Sequence, residues 1–390
     1  MNAYTLYGSY ASYYTAKVRT YLRKKGIPFV ERLPSDPMFR NKVRPASGSH
    51  RIPQLMTPEG LVVQDSVEIV DILEERFPDL PAFPQTPCQR IFVHFMELFG
   101  SEALVRLAWL HRWMFSENNA FVKMDFGRSF KPQGDDEELS KYGNLIADRM
   151  RSYGLPESTL EVRTALDAVY TQLLALFETH LIAHPYLLGG HPSAADYAVM
   201  GAMHAHLGRD PAGLRLMQDH APRTFRWVEH MMVPEVQSPE FYARPVEYLP
   251  DDEVPQSALD ILNFIVSMKS SEAHMPVSPG EQFLRGALAF DQVMARHGAT
   301  AGFELSPDED QPVLPVERVE YGAVEVQHSA NLYAVWLTQR AQKYFQTLSK
   351  AEKDQAQRMF GPGVLADLLA IPPRYPLTRV NNRFLIGSEK

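Results

Sequence analysis

The chain has 390 residues, enough for two or three domains at roughly 150 residues each. Its 39 Lys and Arg stand against 47 Asp and Glu, and the resulting net charge of −8 excludes a general nucleic-acid binder, which needs a basic footprint. Hydrophobic residues make up 45% and charged residues 22%, a globular composition, and the single cysteine, Cys88, excludes an internal disulfide, a paired-cysteine redox motif and a cysteine-rich zinc site.

A chain this long can bury a large core without disulfides or a structural metal. Met1 to Tyr14 has neither a basic start nor an apolar run, so no secretory leader is expected. No apolar stretch approaches the roughly 18 residues that a spanning helix needs. The expectation is a cytoplasmic protein with no membrane and no nucleic-acid partner.

Tyr4-Thr5-Leu6-Tyr7 before Gly8 predicts a short strand running into a loop. From Thr15 the spacing turns helical, with Val18, Tyr21 and Leu22 on one face and Lys17, Arg19, Arg23 and Lys24 elsewhere on the wheel. Gly26 ends that helix, and Ile27 to Val30 is a second strand. A polar loop is expected over 34–51. Ile52 to Met56 and Leu61 to Val63 are two further strands around the turn Thr57-Pro58-Glu59-Gly60. Asp65-Ser66 then opens an amphipathic helix that closes near Phe77-Pro78. The order β-α-β, long loop, β-β-α within 80 residues predicts a small α/β domain over 1–80. Pro78, Pro81, Pro84 and Pro87 form a linker.

Beyond the linker the strand signal fades, and an all-helical domain is expected over 88–248. Phe92 to His111 is a long helical pattern, and 115–157 reads as irregular and polar. Ser158 with Glu161 has the spacing of a capping box, and Ser193 with Asp196 resembles a second. Pro222 suits the first turn of another helix. Residues 249–390 are expected to form a mainly helical extension, with helices at 257–270, 281–297, 331–347 and 350–371. Between them, 300–326 reads as loop and short strands.

The chemistry is expected between the first strand and the first helix. Ser9, Tyr10, Ser12, Tyr13, Tyr14 and Thr15 put hydroxyl groups where free N–H groups and the positive end of a helix dipole meet. Such a place stabilises an anion, a thiolate among others. Taken alone, Ser12 reads as a helix cap, as does Asp65-Ser66. A lone X-Pro bond such as Ile52-Pro53 reads as trans.

Together and in this order, these residues resemble the cytosolic glutathione transferase family. Leu6 to Ser9 through Lys17-Val18-Arg19 is similar to its first strand, loop and helix. Ile52-Pro53-Gln54-Leu55 is similar to its cis-proline strand, and Gln64-Asp65-Ser66 to its carboxylate-binding motif. Leu187-Leu188-Gly189 and Ser193 to Tyr197 resemble a helix start in its second domain. The resemblance is good over 1–80 and moderate over 88–240, and residues 250–390 exceed the family's usual length. It implies a thioredoxin-like N-terminal domain, an all-α second domain, and glutathione as co-substrate.

The resemblance also implies roles. A free thiol titrates near 8.5, and a hydroxyl donating to sulfur favours the thiolate. Ser12 would do this for glutathione, with Ser9 as rival, Tyr13 or Tyr14 as substitutes and Tyr7 as a weaker candidate. Serine cannot form a mixed disulfide, which points to transfer rather than thiol–disulfide exchange. Ile52 before a cis Pro53 would pair with the cysteinyl backbone. Ser66 would hold the γ-glutamyl carboxylate and Asp65 its ammonium. Tyr14 and Arg51 are further candidates for glutathione. Tyr13, His111, Trp113 and Arg128 are candidates for a small hydrophobic electrophile in a cleft between domains. Tyr13 stands where many relatives have proline, and Asp65 where many have glutamate. The histidines have no ligand spacing, so no metal is expected. The reading is a detoxifying transferase for which a homodimer is allowed. The alternative is a non-catalytic binding or scaffold protein that uses its extension for partners. The extension is expected to wrap the helical domain, cover the cleft or replace dimer contacts.

Overall fold

A computed structural model of the protein describes residues 3–296, 298, 300–302, 304–305, 317–321, 324–328, 331–380 and 382–387. Strands β1 (Tyr4–Tyr7), β2 (Phe29–Arg32), β3 (Gln54–Met56) and β4 (Val62–Gln64) form one sheet in the order β2-β1-β3-β4. Helix α1 (Tyr13–Lys24) joins β1 to the parallel β2, while β3 and β4 run antiparallel to their neighbours. The register sets Tyr7 against Gln54 and Gln54 against Gln64. The end of β1, the start of β3 and the end of β4 therefore lie side by side. Helix α3 (Ser66–Arg76) leaves from that same edge.

The expected loop over 34–51 holds two helical turns, a π turn at Phe39–Val43 and α2 (Arg44–Ser47). Phe39 and Val43 bury there against Tyr7, an anchor that the polar composition concealed. On α1, Lys17, Arg19 and Lys24 are buried rather than solvated. The helix lies between the sheet and the second domain, so its charged face meets protein.

The second domain begins with α4 (Pro87–Leu98), which runs through a π turn at Phe99–Ala103 into α5 (Leu104–Met114). The next segment corrects an expectation. Instead of irregular chain, 115–157 folds as a helical hairpin of α6 (Asn119–Phe130) and α7 (Asp136–Ser152). Its contact is made by backbone more than by large apolar side chains. A Cβ on Gly127 would stand 2.2 Å from the Leu139 carbonyl oxygen, and one on Gly143 2.2 Å from that of Lys123.

Helix α8 (Leu160–His180) is capped by Thr159, one residue later than expected, while the Ser158 hydroxyl donates to the Met114 carbonyl. Helix α9 (Ala194–Met200) starts at the capping box of Ser193 and Asp196. Asp196 also accepts from the Leu187 amide at 2.9 Å. A π turn at Gly201–His206 and the helices α10 (Pro211–His220) and α11 (Pro222–Met231) follow.

The extension carries α12 (Gln256–Ser267), α13 (Pro279–Arg296), β5 (Glu304–Leu305), β6 (Glu317–Tyr321), β7 (Val324–His328) and α14 (Leu332–Thr347). Helices α15 (Lys350–Phe360) and α16 (Val364–Ala370) and strands β8 (Leu377–Val380) and β9 (Arg383–Ile386) complete it. The single helix expected over 350–371 is broken at Gly361-Pro362-Gly363, and the β8–β9 hairpin was not expected. Val316, read as the start of an alternating strand, lies outside the described residues. The extension is not an appendage: Leu6, Phe92, Leu173, Leu337 and Leu369 belong to one continuous apolar core. Phe95 of α4 meets Phe360 of α15 edge-on at 5.2 Å between ring centroids. Asp252 accepts from the Cys88 and Gln89 amides at 2.8 and 3.0 Å, which caps the start of α4. Among the described residues, no helix is long and apolar enough to cross a membrane.

The glycine contact makes a prediction. Gly127→Ala forces α6 away from α7 and is expected to destabilise the protein by about 1–3 kcal/mol, the usual range for overpacking. Urea unfolding followed by circular dichroism checks it.

Candidate functional site

Ser12 caps α1 with an extended backbone, φ −82° and ψ 122°. Its Oγ accepts from the Thr15 amide at 3.3 Å and from the Thr15 hydroxyl at 2.8 Å. The Ser12 hydroxyl keeps its own proton to donate. Serine is a good cap because its short side chain reaches the free N–H groups of the first turn.

The loop carrying Ser9 and Ser12 is held by two buried arginines. Arg19 of α1 donates to the Ser9 carbonyl at 3.0 Å, pairs with Glu31 at 2.5 Å, and sits 4.0 Å from the centroid of the Tyr10 ring. Arg112 of α5 donates to the Ala11 carbonyl at 2.9 Å and grips Asp210 through both Nε and NH2, at 2.7 and 3.0 Å. One arginine comes from each domain, so the loop's shape depends on both.

The hydroxyls of the nearby tyrosines are committed. Tyr13 donates to the Gly100 carbonyl at 2.6 Å, and Tyr14 to Glu102 at 3.0 Å. Burial pushes both phenols well above their ordinary range, so neither ionises near neutrality. Tyr7 is buried beside Phe39.

The Ile52–Pro53 peptide is cis. Gln54 ties the preceding chain down by donating to the Ser49 and Arg51 carbonyls, both at 2.8 Å. Ile52 packs on the small cluster of Tyr7, Phe39 and Val43.

Asp65 has φ 90°, a conformation that a non-glycine residue rarely adopts. Such strain gathers at functional sites. Its Oδ1 accepts from the Val67 amide at 2.8 Å and the Glu68 amide at 3.4 Å, capping α3. Ser66 is buried, and its Oγ has no hydrogen-bond partner. Two groups from the extension reach this corner. The Tyr333 hydroxyl donates to Asp65 Oδ1 at 3.1 Å. The Arg379 guanidinium lies 3.4 Å from Asp65 and 3.5 Å from Glu68.

The structure thus brings Ser9, Ser12, Ile52, Pro53, Asp65 and Ser66 to one edge of the sheet, and Tyr14 stands on the first turn of α1. Arg51 adjoins Ile52 and is half-buried. Two expected substrate contacts are corrected. His111 is fully buried, stacked on Phe115 at 4.2 Å and 3.1 Å from Asp167, inside the helical domain. Tyr13 is locked against Gly100 and packs edge-on to His206. Both are packing residues here. Trp113 lines a cavity of about 370 Å³ with Met114, Leu155, Pro156 and Arg151. That cavity lies wholly within the helical domain rather than between domains, and the exposed Arg128 does not line it. Among the described residues, no group of three or more His, Cys, Asp or Glu is placed to hold a metal ion.

Sequence reading missed Arg19 and Arg112 as loop holders, and Tyr333 and Arg379 altogether. Arg19 carried a signal in its place near the loop; the last two lie more than 260 residues from Asp65 and carried none.

Two predictions follow from this geometry. Arg112→Ala leaves Asp210 charged and buried without its partner, and is expected to cost about 3–5 kcal/mol in unfolding free energy by denaturant titration. The second concerns Glu102, whose carboxyl burial raises to about 7 against an opposing hydrogen bond from Tyr14. A carboxyl raised from about 4.3 in the unfolded chain stabilises most below that value, and this contribution is lost as pH rises through about 7. Glu102→Gln should therefore gain melting temperature relative to the parent as pH goes from about 6 to 8, measured by scanning calorimetry.

Residues 6–81 match the family model described as glutathione S-transferase, N-terminal domain. No curated protein matches the chain. Solved structures are similar at low identity. A glutathione S-transferase from Methylobacterium radiotolerans, in complex with glutathione sulfonate, is 20% identical, covers 65% of this chain and 100% of its own, with a TM-score of 0.36. One from Rhodospirillum rubrum is 17% identical over 66% of this chain and 99% of its own, with a TM-score of 0.37. The beta-etherase LigF from a Sphingobium species is 21% identical over 59% of this chain and 95% of its own, with a TM-score of 0.41.

Proposed function

We propose, with residues 6–81 belonging to the glutathione S-transferase N-terminal family as the premise, that the protein is a glutathione transferase using Ser12. The observation that carries this reading is the convergence of Ser12 at the α1 N-terminus, the cis Ile52–Pro53 peptide and Asp65-Ser66 at one edge of the sheet. A tripeptide laid along that edge pairs its cysteinyl backbone with Ile52 and brings its thiol to Ser12. The Ser12 hydroxyl, already accepting from Thr15, donates to sulfur. The helix dipole and that hydrogen bond favour the thiolate, and the thiol proton leaves to solvent. The sulfur lone pair then forms a C–S bond to a small hydrophobic electrophile, whose leaving group departs with the electrons of the broken bond. Ser66 Oγ donates to the γ-glutamyl carboxylate, and Asp65 meets its ammonium. Ser9 is the rival hydroxyl.

Removing one preorganised donor from a reacting anion costs about 10²–10³ in kcat. Ser12→Ala is expected to lose about 10²-fold in conjugation of glutathione to a dinitrophenyl halide, and to raise the pKa of the bound thiol, followed by its ultraviolet thiolate absorbance. Unchanged turnover moves the role to Ser9.

A second reading has its own observation. Asp65 is already engaged by Tyr333 and Arg379, which suits a protein that keeps the fold as a binding or scaffold module. Absence of turnover across electrophiles, with glutathione bound, selects it.

A further inference from the structure

The corner that Asp65 and Ser66 make is closed by residues far away in sequence. Helix α14 delivers Tyr333, and strand β8 delivers Arg379. Arg379 is held from behind by the rings of Tyr333, Trp336 and Phe384, 5.2–5.6 Å from its guanidinium. Its NH2 donates to Gln64 Oε1 at 3.2 Å and to Asn382 Oδ1 at 2.5 Å. Its NH1 faces Asp65 and Glu68. A buried cation on an aromatic bed, in ion-pair range of two carboxylates though not hydrogen-bonded to them, is not a surface arginine at rest.

This contact has a consequence for the ligand. An amino-acid end carries one ammonium and one carboxylate. Asp65 is the group suited to the ammonium, and Arg379 already stands there with a positive charge. The carboxylate's donor, Ser66 Oγ, is shut from solvent and has no partner. A buried polar group without a partner is costly, so the closed corner carries a penalty that an arriving carboxylate relieves.

We infer that the C-terminal extension is an internal competitor for the γ-glutamyl end of glutathione: Arg379 fills the ammonium's place at Asp65, and β8–β9 must withdraw before the ligand seats. The inference rests on the glutathione reading above. It makes the extension a control on that site. Anything that draws the hairpin away opens the corner, and anything that pins it keeps the corner shut.

The test uses the full chain. Reduced glutathione is titrated calorimetrically into wild type and Arg379→Ala at pH 7. The variant is expected to bind at least about tenfold more tightly, since it has lost the competitor but kept Asp65 and Ser66. Hydrogen–deuterium exchange on wild type gives a second readout that needs no variant. Saturating glutathione should raise exchange across 377–386 as the hairpin leaves. Equal or weaker binding by Arg379→Ala overturns the inference and makes Arg379 inert or part of the binding site. Increased protection of 377–386 with glutathione overturns it equally. Binding by neither protein at millimolar glutathione removes the glutathione reading itself, and the inference with it; equal binding by both removes the inference alone.

Discussion

The three parts of this molecule meet at a buried carboxylate in the last turn of α4. Glu97 is almost fully enclosed and pairs with Lys17 of α1 at 2.8 Å, itself buried. Arg340 of α14 approaches the same carboxylate at 3.6 Å and grips Asp71 of α3 with both nitrogens, at 2.6 and 2.9 Å. One acid in the helical domain thus binds a lysine of the thioredoxin-like domain and an arginine of the extension. A buried charge is expensive unless paired, and removing one partner strands the others. The three parts cannot drift apart without uncovering that cost. The pairing is also specific: it fixes α14 along α3 and α4, and so determines where Tyr333, about two turns before Arg340, comes to lie.

The loop at the start of α1 obeys the same logic on a smaller scale. Its carbonyls at Ser9 and Ala11 are each held by an arginine, one from within its own domain and one from α5. Each arginine is in turn neutralised by a buried or half-buried acid, Glu31 or Asp210. A capping serine placed by two such clamps has a defined direction. The hydroxyl's position is therefore a property of the domain interface and not of the loop alone.

The parts of this design that were legible in sequence are those written in local chemistry. Ser12, Asp65, Ser193 and Pro222 announce helix starts, because caps need short acceptors or a residue that tolerates a missing N–H. The strands of the first domain follow from short β-prone runs bounded by turns, whereas the cis Ile52–Pro53 step was implied only by the family resemblance, since local chemistry reads it as trans. The hairpin of α6 and α7 escaped because its closest contacts are glycine against carbonyl, at Gly127 and Gly143, and the residues between the two helices are polar and turn-forming. The burial of Lys17 and Arg19 escaped because charge on a helix reads as solvated until the partner acids, Glu97 and Glu31, are known to face it. Tyr333 and Arg379 escaped most fully. Nothing near Asp65 in sequence hints that a strand more than 300 residues later ends there.

The aspartate itself explains why that distant contact forms. An aspartate is short enough to cap its own helix, and Asp65 does so through the amides of Val67 and Glu68. Its carboxylate is then held at the start of α3. A cation that pairs with it must come in to it. Glu68 beside it is raised to about 7 by burial, with Arg379 opposing that rise. The short acid, the strained backbone and the inward arginine are thus parts of one arrangement. A substitution that lengthened Asp65 would loosen the cap and the extension together.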